Sequence, residues 1–193
     1  MAGMIKDGTG KGYLMKVDSD HRALVSAVTQ NDEAYFSEKG DMYSIETGLI
    51  TLTDTSEHKV LWIKNTATTQ YLYIASVVYS WNGGSTNHNR TLFGSCYRNP
   101  GDPTANHEAY TPLQLNWTSG SAALATTYRW DGVGTGMTVT GGTQCFFITS
   151  VGRTVLTNSL PIMGTNDIYM ISVQGEEVGT VGVTIRFYYK DVK

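Results

Sequence analysis

"VGVTIRFYYKDV", residues 181–192, decides the fold. Val181, Val183, Ile185, Phe187 and Tyr189 alternate with Gly182, Thr184, Arg186, Tyr188 and Lys190. A period of two belongs to a strand, whose successive side chains point to opposite faces of a sheet. This segment is therefore predicted to bury one face and show the other. Upstream, "QYLYIASVVYSW", residues 70–81, sets Tyr71, Tyr73, Ala75, Val77, Tyr79 and Trp81 against Leu72, Ile74, Ser76 and Val78. Both rows are apolar, which predicts a strand covered on both sides.

The same reading extends over everything from residue 41 onward. "YSI" (43–45) and "LITLT" (49–53) flank "ETG" as the arms of a hairpin. Further strands are expected at 59–65, 90–97, 113–117, 126–130, 137–140, 145–149, 153–157 and 166–174. Residues 66–69, 82–89, 131–136, 141–142 and 175–180 carry turn chemistry. "RNPGDPTANHEAYTP", 98–112, holds three of the four prolines and is the main irregular loop. Ten to twelve short strands at a spacing of about ten residues, with no internal repeat, predict an all-β sandwich, jelly-roll-like, over 41–193.

Residues 1–40 read differently. Gly3, Gly8, Gly10 and Gly12 interrupt any period, and ordering so many glycines is entropically costly. The segment is predicted to be an extended arm. "RALVSAVT", 22–29, is strand material, and "NDEAYFSEKG", 31–40, is a candidate short helix with Asn31 or Asp32 as cap and Gly40 as stop.

Composition excludes several functions. A net charge of −3 argues against a nucleic-acid partner. No run of about 18 apolar residues is present, so no membrane-spanning segment is expected, and no apolar stretch near the start reads as a secretory signal. Cys96 and Cys145 are far apart and are expected as two free, buried thiols in a reducing compartment. The Asn-x-Thr triplets at Asn89 and Asn116 are then chance matches.

The stretch "DGTGKG", 7–12, resembles a phosphate-gripping loop only superficially. Gly12 follows Lys11 where Ser or Thr is required, Ile5 occupies the upstream glycine position, and Tyr13 spoils the dinucleotide pattern. His21, His58, His88 and His107 are too widely spaced for a typical metal site. No G-x-S-x-G is present, and the acids are scattered through turns. Trp62, Trp81, Trp117 and Trp130 fall in strands, which favours packing over sugar stacking. No catalytic group, metal or cofactor is therefore expected, and an interaction protein is the better class.

The first 65 residues carry a resemblance. Asp7–Gly10, Lys16–Asp18, Arg22–Thr29 and Val60–Asn65 stand here as D-G-T-G, K-V-D, R-A-L-V-S-A-V-T and V-L-W-I-K-N, with Ala23 inserted between Arg22 and Leu24. This pattern resembles the opening of virion-associated structural proteins of tailed bacteriophages. The resemblance implies a protein made in the host cytoplasm and placed on the capsid exterior as decoration, cement or head fibre, with the major capsid protein as partner. The arm would then dock through Ile5, Lys6, Asp7, Gly8, Gly10, Tyr13, Leu14, Met15, Val17, Leu24, Val25 and Val28. Such an arm binds weakly alone, and three arms on a homotrimer would recover affinity through effective concentration. The alternative is a receptor- or carbohydrate-binding module of a tail or head fibre, with His88, His107 and Tyr110 in its recognition loops.

Overall fold

The computed structural model describes residues 36, 41–83, 91–115, 122–157 and 160–192. The chain divides into two units, Met1–Asn31 and Asp32–Lys193. All the arm residues named above, from Ile5 to Val28, lie outside the described residues, as does His88. So does the 31–40 helix except for Phe36, which is helical.

The described part of the second unit is all β. Its strands are β1 (Met42–Leu52), β2 (His58–Asn65), β3 (Gln70–Gly83), β4 (Leu92–Arg98), β5 (His107–Ala109) and β6 (Leu113–Gln114). They continue as β7 (Ala125–Trp130), β8 (Thr143–Ser150), β9 (Arg153–Leu156), β10 (Ile162–Met163), β11 (Ile168–Gly175) and β12 (Gly179–Asp191). The first sheet runs β10-β3-β12-β1-β6, with β9 also on the outer edge of β3; the second runs β5-β7-β2-β11-β4-β8. Every strand pairing is antiparallel. The two sheets pack as a sandwich, so the jelly-roll expectation narrows to that architecture.

The alternation in β12 holds. Val181, Val183, Ile185, Phe187 and Tyr189 are buried and Arg186 is exposed. Tyr188 departs from it: it is buried on the outer face, where its ring stacks with those of Phe36 and Tyr73. β3 corrects its own reading. Phe187 pairs with Ile74 and Arg186 with Ser76, so Ala75 is an extra residue. This bulge reverses which side chains face inward. Leu72 and Ile74 enter the core before it, and Val77, Tyr79 and Trp81 after it. The two apolar rows therefore reflect a change of face along one strand, not cover on both sides.

The strand that is covered on both sides is β2, where His58, Val60, Leu61, Trp62, Ile63 and Asn65 are all buried. Two loops lie over its outer side. Trp62 Nε1 donates to the Gly101 carbonyl at 3.1 Å, and Met137 N donates to the Lys59 carbonyl at 2.9 Å. Met137 and Val139 are buried there. Residues 137–140, expected as a strand, form only one bridge, Ala105 with Thr138. Gly132, Gly134, Gly136, Gly141 and Gly142 all have positive φ and break the extended geometry around it.

The expected hairpin at 43–53 is one strand. Glu46 pairs with Thr184 and Leu49 with Gly182, so Thr47 and Gly48 together oppose Val183. Gly48 (φ 68°) supplies the left-handed residue, and Thr47 Oγ1 accepts the Val183 N–H at 2.9 Å. The chain bulges where a turn was anticipated, because two residues against one can be absorbed without reversing direction.

Asn65 closes the β2–β3 connection. Fully buried, it donates from Nδ2 to the carbonyls of Gln70 (3.1 Å) and Met163 (3.0 Å) and accepts the Ala67 N–H at 3.0 Å. Asn65→Ala leaves these main-chain groups without partners and should cost about 3 kcal/mol or more in denaturant melts. Gly136→Ala should destabilise more than Gly132→Ala. Both glycines have positive φ, but only at Gly136 would a Cβ strike backbone, 2.6 Å from Lys59 N.

Candidate interaction surfaces

Four surface features could meet a partner. The first lies at the β5 edge of the second sheet. Tyr110 follows β5, its N–H donating to the Thr127 carbonyl at 3.0 Å. The Arg129 guanidinium lies 4.9 Å over the Tyr110 ring and pairs through Nε with Glu108. His107 meets Tyr128 edge-on at 4.8 Å. Beside them a cleft of about 420 Å³ runs between the β1 bulge and the end of β7, lined by Thr47, Leu49, Glu108, Arg129, Trp130 and Asp131 among others. The acids lining it are engaged. Glu108 is held by Arg129, and Asp131 Oδ1 accepts the Val133 N–H at 2.9 Å.

His107 and Tyr110 flank the same short strand but meet opposite faces of β7, His107 against Tyr128 and Tyr110 against Arg129. The described flanks of the 82–89 loop lie elsewhere. Gly83 pairs with Gly179, and at the Leu92 end of β4 the Thr91 carbonyl accepts the Glu176 N–H at 3.0 Å while the Thr91 N–H donates to the Glu176 carboxylate at 2.9 Å. The 98–112 loop leaves β4 at its other end. β5 then lies four strand positions across the sheet from β4, roughly 19 Å at about 4.8 Å per strand.

A second feature is polar. The Glu57 carboxylate accepts hydrogen bonds from Tyr97 (2.7 Å) and Ser172, and Gln144 Nε2 donates to Ser95 Oγ at 2.9 Å. Burial, then the bond to Glu57, pushes the Tyr97 phenol up from 10.0 to about 12. These groups satisfy one another on the sheet surface. Among the described residues no group of three or more His, Cys, Asp or Glu side chains is arranged to hold a metal ion.

The third feature is an aromatic shelf on the outside of the first sheet. Phe36 and Tyr188 stack at 4.5 Å, and Tyr188 and Tyr73 at 5.4 Å. Lys190 Nζ lies 5.0 to 5.6 Å from all three rings. An open depression of about 710 Å³ adjoins them, bordered by Tyr71, Asp191 and Val192. Sequence patterning does not reveal this shelf, because Tyr73 and Tyr188 occupy ordinary strand positions and Phe36 a helical one. The run "FYY", 187–189, which breaks the alternation of β12, was the available signal.

The fourth is the β8 edge. Phe147 is 55% exposed and stacks on Phe93 at 5.8 Å. Cys145, expected to be buried, is exposed there, its thiol donating to the Cys96 carbonyl at 3.5 Å. Cys96 is buried as expected, and burial pushes its thiol up from 9.0 to about 11. Neither cysteine is in a disulfide.

A disulfide reagent should therefore modify one thiol per folded chain, at Cys145, and the second only on unfolding. The raised Cys96 and Tyr97 groups also give stability a pH slope. The unfolded chain loses these protons first, so their contribution is complete below about pH 9. It is lost as pH climbs through about 11 and 12. Tyr97→Phe should flatten the upper part of that slope in melts followed against pH.

Compared with known proteins, the chain matches no family model and no curated protein sequence.

Proposed function

We propose that this chain is a structural protein of a tailed-phage virion, binding the outside of the capsid as a decoration or cement protein. Its N-terminal arm is the docking element and the sandwich is the body that presents it. The observation that carries this reading is the seat of Phe36. Five residues past the boundary between the two units, the chain is stacked on Tyr188 under Lys190. A tether held at its base samples a smaller volume than one starting from β1. That raises the effective concentration of its apolar residues, Ile5, Tyr13, Leu14, Met15 and Val17, at a neighbouring capsomer. Ordering the glycine-rich stretch costs about 2 to 5 kcal/mol. Arms repeated in an oligomer, a trimer being the economical case, offset that cost by avidity of about 10²- to 10⁴-fold. Buried arm surface between capsomers then resists shell expansion without any covalent step.

The full chain carrying Leu14→Asp and Met15→Asp should melt like the parent yet fail to co-sediment with capsids of the phage that encodes it. Undiminished co-sedimentation would refute arm docking. On purified particles, hundreds of copies would agree with shell decoration, and a dozen or fewer with a tail or portal position.

The cleft beside Tyr110 supports a second reading, a receptor- or carbohydrate-binding module. Arg129 and Glu108 line it with hydrogen-bonding groups of the kind sugars use. Glycan-array binding that Tyr110→Ala abolishes would favour it; tight capsid binding with a blank array would favour decoration.

A further inference from the structure

The geometry points to β8 as a self-pairing edge that joins two copies of this chain into a two-fold dimer. This inference stands on the sheet edges and is independent of the capsid reading. A strand at the rim of a sheet presents unpaired N–H and C=O groups. Proteins usually blunt such rims with very short strands, charges, prolines or bulges. Among the described residues the terminal strands of the other rims are short: β5 has three residues, β6 two, β9 four and β10 two. β1 runs past β6 from Ile45 to Leu52, but Glu46 stands in that stretch and the Thr47–Gly48 bulge breaks it. β5 also carries Glu108, and β9 begins with Arg153. β8 has eight residues, "TQCFFITS", with no charge and no proline.

One blunting device is present, and it defines what stays open. Phe146 pairs with Cys96 but Gln144 with Tyr97, so Cys145 is an extra, bulged residue. The bulge breaks the register between Thr143–Gln144 and the rest of the strand. Phe146–Ser150 remains in straight register with Leu92–Cys96.

A second copy is the occupant that fits. No other described rim keeps five residues in unbroken register, β1 offering four past its bulge, so a head-to-tail contact has no counterpart of equal length. An uncharged strand laid antiparallel on itself brings no like charges together. With the two-fold axis at Ile148, each Phe147 lies opposite Thr149 of the second copy. Both positions are exposed on the outer face, so the Phe93–Phe147 stack gains cover as the main-chain bonds form. The contact is isologous and closes at two copies.

Sedimentation of the full chain over a concentration series should show reversible association to twice the 21.1 kDa chain mass. Amide exchange at residues 146–150 should slow as the dimer fills. Thr149→Asp places two carboxylates across the axis and should raise the dissociation constant about tenfold or more. Thr149→Lys should do the same alone. Mixing the two variants should restore a dimer, which a misfolded variant could not do. A chain that stays monomeric to millimolar concentration would overturn the inference. So would an oligomer of any size indifferent to Thr149→Asp, or a mixture that fails to re-pair. Capsid co-sedimentation is read separately, so failure here leaves the arm question open to its own test.

Discussion

The body depends on the pairing of β12 with β3. These are its two longest strands, and β12 runs between β3 and β1 in the first sheet. Their inward rows, Val181 to Tyr189 on one and Leu72 to Trp81 on the other, make the floor on which the second sheet sits. The sheets come close because Gly94 stands beneath Tyr79. A Cβ there would lie 2.8 Å from the ring, and the Tyr79 hydroxyl reaches the Cys96 sulfur at 3.7 Å. A larger residue at 94 would push β4 off the floor, and with it the strands on either side, β11 and β8.

Bulges are the second organising element. The one at Ala75 changes the inward face of β3 midway. The one at Thr47–Gly48 lets β1 continue where it might have turned. The one at Cys145 breaks the register of β8. Each inserts a single residue into a ladder, and each relocates every side chain beyond it relative to the sheet. Local kinks therefore set which surfaces are core, which are shelf and which are open edge.

This also explains what could be read from the residues alone. β12, β11 and β3 were legible because long alternating or apolar runs between turn signals admit few other interpretations. The faces of β3 were not, because a bulge leaves no residue-level mark: Ala75 is an unremarkable strand residue. The hairpin at 43–53 misled because Glu-Thr-Gly suits a turn and a glycine bulge equally well. The covering loop at 137–140 looked like a strand because Met137 and Val139 alternate. Their burial comes from lying flat on β2, with positive-φ glycines on both sides. Pairs such as Glu108 with Arg129 are joined by strand register across a gap in sequence, and no spacing rule could reveal them. Cys145 was misjudged for the same reason. An apolar strand reads as buried unless one knows that it ends the sheet.

The aromatic shelf and the β8 edge show how similar residue chemistry reaches opposite ends. At the shelf, Tyr73 and Tyr188 would have been an exposed apolar patch on a sheet face. Phe36, arriving from the segment before β1, closes it, and Lys190 sets its charge over the ring faces, where the quadrupole favours a cation. At β8 the Phe93–Phe147 stack has no such lid among the described residues, and Phe147 stays more than half exposed. Main-chain groups lie along the same rim. An apolar face alone would invite indiscriminate association, but hydrogen-bonding partners at fixed spacing admit only another extended strand in one register. The bulge at Cys145 shortens that register to five residues, which favours a reversible contact over unlimited growth of the sheet.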